Sequence, residues 1–149
     1  MNSQSSKDFQ KPNAMDRMVN RAFGLLVKLG LGLPHNYLLE VRGRKSGRVY
    51  STPVNLLELD GKRYLVAPRG YTQWVRNVIA SQEATLVKGF RRQKVRLREI
   101  DDEAKAQILK SYLDRFKLTV QRYFPVPAGS PVEAFQPLTP QYPVFVVIK

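Results

Sequence analysis

The densest chemistry in the chain lies over residues 41–54, VRGRKSGRVYSTPV, where Arg42, Arg44, Lys45 and Arg48 surround Gly43, Ser46 and Gly47. A glycine-bounded GRKSG turn can aim backbone N–H groups and the Ser46 hydroxyl at a phosphate, while Arg44 and Lys45 supply charge. It is not a Walker loop, because the Walker spacing is missing and strands are expected on both sides. A basic turn on a solvated surface would carry the same residues. Farther on, residues 67–77 read APRGYTQWVRN. Arg69-Gly70 leaves a strand there, and its cation can converge on the same anion. Arg76 either joins them or pairs with Glu83. Trp74, the one tryptophan, anchors its helix to the core or stands beside a ring system.

Other chemistries are excluded by what is missing. There is no cysteine and one histidine, His35. Thiolate nucleophiles, disulfides, thiolate-held metals and multi-histidine metal sites are therefore ruled out. A serine–histidine–aspartate relay would rest on His35, which stands beside Pro34 at an element boundary and reads as a loop histidine. Glu40, Glu58, Asp60, Glu83, Glu99 and the acids at 101–103 are scattered at positions that turns, helix starts and exposed faces explain. Paired-carboxylate acid–base chemistry has no support. A protein that holds an anion but lacks catalytic side chains fits hydride transfer, in which the cofactor carries the chemistry and the protein supplies position and electrostatics.

The elements that must position these groups read as one domain of 149 residues, with a net charge of +13 and pI near 10.3. That charge attracts nucleic acid, anionic lipid or a polyanionic cofactor without choosing among them. Residues 1–12 are polar and expected to be a disordered tail, and 13–149 a single domain. Met15, Met18, Val19, Ala22, Phe23, Leu26 and Leu29 recur at helical spacing in a basic amphipathic helix over 13–31. That helix packs on the core, gates a site or touches an anionic membrane. No secretory signal or membrane span is visible, so the expected location is cytoplasmic, with peripheral contact to the inner membrane face as the variant.

Strands are expected over 37–41, 50–59, 63–67, 85–88, 93–100 and 143–148, the last one central. Pro53 places its strand at an edge or bulge, and Asp60-Gly61 is a two-residue hairpin signal. A short helix spans about 72–81. A second opens at the acids 101–103, with Ile108, Leu109, Tyr112, Leu113, Phe116 and Val120 as its buried stripe. Residues 123–141, rich in proline and aromatics, read as an ordered loop without regular structure. The sum is an α+β chain, mainly β: an antiparallel barrel of about six strands with helical additions.

Three separated segments in order, LLEVRGRKSGRVYSTPVNLL, DGKRYLVAPRGYTQWVRNVIASQEATL and the terminal YPVFVV, resemble the deazaflavin (F-420)-dependent nitroreductase and F-420H2-dependent quinone reductase family. The resemblance spans about 37–149. It implies a split β-barrel related to the flavin-mononucleotide-binding barrels, and as cofactor 8-hydroxy-5-deazaflavin (coenzyme F-420), whose tail is strongly anionic. FMN is the alternative. It also implies a reductase passing hydride to a quinone, enone or nitro compound.

Carried over by motif, Gly43, Arg44, Lys45 and Ser46 form the phosphate-binding turn, and Thr52, Pro53 and Val54 run along the ring. Ala67, Pro68, Arg69 and Gly70 approach the cofactor, Arg69 facing its phosphate. Trp74 and Asn77 match a W-x-x-N helix. Asn55, Tyr123, Phe124 and Phe135 are the substrate-side candidates. No metal is implied. Tyr50, Asn55 and Pro68 depart from residues carried by characterised nitroreductases, so their substrate preference does not transfer. A homodimer pairing through the sheets is in keeping with related barrels.

Two other classes fit part of the sequence. Lys94, Arg96 and Arg98 alternate with Val95 and Leu97 in KGFRRQKVRLR at 88–98, which would place cations on one open face near Phe90, as a nucleic-acid-binding module requires. A solvated strand face would look the same. A non-catalytic barrel carrying flavin, lipid or haem is the third reading, with His35 the one histidine for haem.

Overall fold

The computed structural model describes residues 33–149. The tail expected at 1–12 and the helix expected at 13–31 lie outside the described residues. Six strands follow in chain order: β1 (Asn36–Arg42), β2 (Val49–Leu59), β3 (Lys62–Val66), β4 (Glu83–Lys88), β5 (Arg91–Glu99) and β6 (Val144–Ile148). Two helices are interposed, α1 (Gln73–Ser81) between β3 and β4, and α2 (Lys105–Val120) after β5. The strands form a closed antiparallel barrel in the order β1-β2-β3-β6-β5-β4, with β1 and β4 closing it. The last strand is paired on both sides, with β3 and β5, as every strand of a closed barrel is, so the central position expected of it has no counterpart here.

Turn chemistry sets the registers. Asp60 and Gly61 both take positive φ, 52° and 77°, the pairing a two-residue type I′ hairpin needs. Leu59 then pairs Lys62, and the ladder runs back to Leu56 opposite Leu65. There β2 and β3 part. Residues 49–55 of β2 pair with β1 alone, so Pro53, which has no N–H to give, faces no β3 partner. The edge position expected of Pro53 is thus a local one within a closed barrel.

Two large apolar cores form among the described residues, beside a small cluster of Leu38 and Val87. Inside the barrel, Leu39, Leu65, Leu86, Leu97 and Phe145 pack with Val75 and Val78 of α1, which plugs one end. Outside it, the stripe Ile108, Leu109, Tyr112, Leu113 and Phe116 lays α2 against Leu57, Val66 and Val144. Each such side chain contributes roughly 1.5–3 kcal/mol on leaving water.

The acids at 101–103 lead into a 3-10 turn, Asp102–Ala104, before α2 proper. The segment at 123–141 is not without regular structure as expected. It contains 3-10 stretches Val132–Ala134 and Gln136–Gln141 and follows another, Gln121–Tyr123. Prolines deny this segment a full α-turn, and side chains pin it instead. Buried Lys105 donates to the Thr139 carbonyl (3.1 Å), and Gln121 bridges the Val126 carbonyl and the Ala128 N–H, both at 2.8 Å. Among the described residues, no helix is long and apolar enough to cross a membrane.

Candidate functional site

Where β2 and β3 part, the barrel wall opens into a cavity of about 480 Å³. Thr52, Pro53, Val54 and Asn55 form one side, and Val66, Ala67, Pro68 and Arg69 the other. The separation leaves main-chain groups of β2 on the cavity side without a β3 partner, and backbone polar groups demand partners. The volume suits a small organic ligand.

The connection from β3 into α1 supplies a third wall. Gly70 takes φ 86°, a conformation glycine adopts without strain, and Thr72 N donates to the Gly70 carbonyl at 2.9 Å. The chain therefore reverses within a few residues and brings Thr72 and Trp74 to the same cavity as Arg69. Trp74 anchors its helix to the core, one of the two roles read from the sequence. Its ring packs on Phe145 of the barrel core, centroids 5.9 Å apart, and also lines the cavity. Thr72 Oγ1 is buried and, among the described residues, is the one side-chain polar atom so placed without a hydrogen-bond partner.

The fourth wall comes from the end of α2. Phe116 leaves helical geometry (φ −110°, ψ 23°), and the Thr119 hydroxyl donates back to its carbonyl at 3.2 Å. Such back-bonding bends helices. The bend carries Leu118, Thr119 and Val120, with Arg122 and Tyr123 of the following turn, to the cavity. Under them lies a polar chain. Leu33 N donates to Asn36 Oδ1 (3.0 Å), Asn36 Nδ2 donates to Asn55 Oδ1 (2.9 Å), and Asn55 shares the cavity wall with Tyr112. Burial pushes the Tyr112 phenol well above its ordinary range, keeping it neutral.

The GRKSG turn stands outside this cavity. Gly47 at φ 74° closes it, with Gly43 N donating to the Arg48 carbonyl (2.6 Å) and Gly47 N to the Gly43 carbonyl (3.0 Å). The Ser46 hydroxyl is engaged inside the turn, accepting from Arg48 N at 3.1 Å and lying 3.2 Å from the Tyr50 hydroxyl. Arg44 is held by α1: its main-chain N and guanidinium both donate to Asn77 Oδ1 (3.1 and 2.8 Å), and the guanidinium also to Gln73 Oε1 (3.1 Å). Asn77 is buried, which gives the W-x-x-N spacing a physical sense: Trp74 faces the cavity while Asn77, on the next turn, clamps the basic turn to α1. Lys45 is exposed.

Of the residues singled out in the sequence, Thr52, Pro53, Val54, Asn55, Ala67, Pro68, Arg69, Trp74 and Tyr123 converge on the cavity wall. Gly43, Arg44, Lys45, Ser46 and Gly70 are not part of that wall. Phe124 and Phe135, expected on the substrate side, are buried instead in the outer core, where Phe124 stacks on Tyr142 at 4.6 Å and 5°. Nor does Arg76 pair with Glu83; its Nε donates to the Tyr71 carbonyl at 3.0 Å. His35 packs on the Phe116 ring at 4.6 Å, away from the cavity wall, so the geometry offers a haem no histidine there. Thr72, Tyr112, Leu118 and Arg122 were missed. A threonine before a helix reads as an ordinary cap, Tyr112 as core stripe, and no periodicity reports a bend. The alternation on β5 is as expected: Lys94, Arg96 and Arg98 are exposed, and Phe90 stands in solvent at the β4–β5 turn.

A sequence profile described as F-420H(2)-dependent quinone reductase matches residues 13–123. No curated protein matches the chain. Among solved structures, an F-420-H2 dependent reductase aligns at 21% identity over 76% of this chain and 94% of its own, with a TM-score of 0.52. A domain-swapped dimer aligns at 20% identity, 89% and 92% coverage and a TM-score of 0.54. A NimC/NimA family protein from Clostridium acetobutylicum aligns at 12% identity, 87% and 78% coverage and a TM-score of 0.52. At these identities the structural likenesses speak to the fold.

Proposed function

The chain belongs to the F-420H(2)-dependent quinone reductase family and is an oxidoreductase that uses F-420H2, and from that premise we propose that the cavity between β2 and β3 holds the deazaflavin beside a small organic acceptor: a quinone, an enone or a nitro compound. The supporting observation is the parted ladder itself, which opens a ligand-sized space lined by an unpaired strand edge, an arginine and an indole.

The reduced deazaflavin, when bound, supplies the hydride. The chain's residues supply the rest. The free edge of β2 at residues 52–55 offers N–H and carbonyl groups to the rim of a planar heterocycle. Trp74 gives an aromatic wall and Arg69 a charge for an anionic tail. Asn55, Tyr112 and Tyr123 offer hydrogen bonds to an acceptor, and buried Val120 and exposed Leu118 give it apolar surface to cover. The basic turn acts at one remove, because Arg44 is spent on Gln73 and Asn77 and so fixes α1 in place.

Titration with oxidised F-420 and with FMN, followed through Trp74 and cofactor fluorescence, tests the reading. Deazaflavin binding at micromolar concentration or tighter is expected, with Arg69→Ala weakening it by about 1–3 kcal/mol, the scale of a lost charge-assisted hydrogen bond. Anaerobic oxidation of F-420H2 by a simple quinone then establishes the acceptor class. Binding of FMN alone would change the hydride donor, and binding of neither would end the proposal.

A further inference from the structure

We infer that the first turn of α1, with Thr72, is an anion subsite that takes the phosphate of the coenzyme's tail. The inference rests on the deazaflavin reading above and names the group that anchors it. Thr72 is 8% exposed, lines the cavity, and its Oγ1 has no hydrogen-bond partner. Buried hydroxyls are nearly always partnered, so an orphan at a cavity wall marks a place where a ligand completes the structure.

Thr72 occupies the N-cap position of a nine-residue helix with extended backbone (φ −73°, ψ 178°), yet no side chain caps the first turn and no acid lies in it. A threonine so placed ordinarily turns its oxygen onto the following N–H groups. Here it does not, so the hydroxyl and the unsatisfied N–H groups of the turn are both available at the positive end of the helix dipole. A cation flanks the same turn: Arg69 shares the cavity wall with Thr72. A neutral ligand group needs one hydrogen bond from Thr72. A phosphate oxygen set also uses the dipole and the flanking charge.

The test compares wild type, Thr72→Val and Thr72→Ser in titrations with oxidised F-420 and with 8-hydroxy-5-deazariboflavin, the same chromophore without the phosphate tail. Thr72→Val should weaken F-420 binding roughly tenfold, as one charge-assisted hydrogen bond requires. It should leave the tail-less chromophore unchanged, and Thr72→Ser should restore F-420 affinity. Equal loss for both ligands would place Thr72 on the ring and overturn the inference, as would no loss at all. If the wild type binds neither deazaflavin, the functional reading falls, and inorganic phosphate still decides the subsite. Saturable amide shifts at Gln73, Trp74 and Val75 in the NMR spectrum, lost in Thr72→Val, would uphold it; their absence in the wild type would refute it.

Discussion

The basic turn shows how single residues combine fold and function. A Cβ on Gly43 would lie 2.7 Å from Tyr50 Cε2, 2.9 Å from Ser46 Oγ and 3.3 Å from the Arg48 carbonyl. The two side chains can move, but moving them breaks the Ser46 bonds that shape the turn, while the carbonyl is main chain. Gly43→Ala should therefore cost about 1–2 kcal/mol in urea unfolding. Asn77→Ala should cost about 1–3 kcal/mol in the same assay, since it removes the acceptor of both Arg44 bonds from a buried site. It should also weaken deazaflavin binding by loosening α1. The cations of GRKSG were legible in the sequence because their density is unusual. Their engagement by α1 was not, because the Arg44–Asn77 contact joins residues far apart in the chain and leaves no periodic trace.

At the scale of elements, strands were read within about two residues of their ends, because β-branched alternation and the Asp60-Gly61 turn are local signals. The bend of α2 and the 3-10 stretches were not, since the bend turns on one local hydroxyl bond from Thr119 to the Phe116 carbonyl, and the proline-rich segment is pinned by side chains of α2 and the turn after it. Lys105 exemplifies this. It is 1% exposed, pairs with Asp102 at 2.8 Å and donates to the Thr139 carbonyl, tying the start of α2 to a segment that enters much later. Lys105→Ala should destabilise the protein by about 2–4 kcal/mol, measured by thermal or urea unfolding. The bend has a pH signature. Burial, then the charges of Arg115 and Lys88, lower the His35 pKa below its ordinary 6.5. Neutral His35 is thus favoured by the fold, and its contribution is complete above pH 6.5 and lost as pH falls through the lowered value. The melting temperature should drop on acidification below 6.5, and His35→Gln should lessen that drop.

For the whole molecule, a net charge of +13 predicts attraction to any polyanion. The exposed cations of β5 give that attraction a face, and most of it should be nonspecific. Retention on duplex DNA should disappear as salt rises from about 50 to 200 mM, whereas deazaflavin affinity, if set in the cavity as proposed, should change far less. Tight sequence-selective binding at the higher salt would return the nucleic-acid reading to the front. The barrel carries one more consequence, for biosynthesis. The strand that joins β3 to β5 is the last of the six to leave the ribosome, and Tyr64 must wait for Val146. Until β6 arrives, β3 and β5 are two open edges, each a template for another nascent chain. A stall or stop before Val144 would therefore yield no smaller working reductase, but an unfinished barrel prone to stick to its neighbours on the polysome.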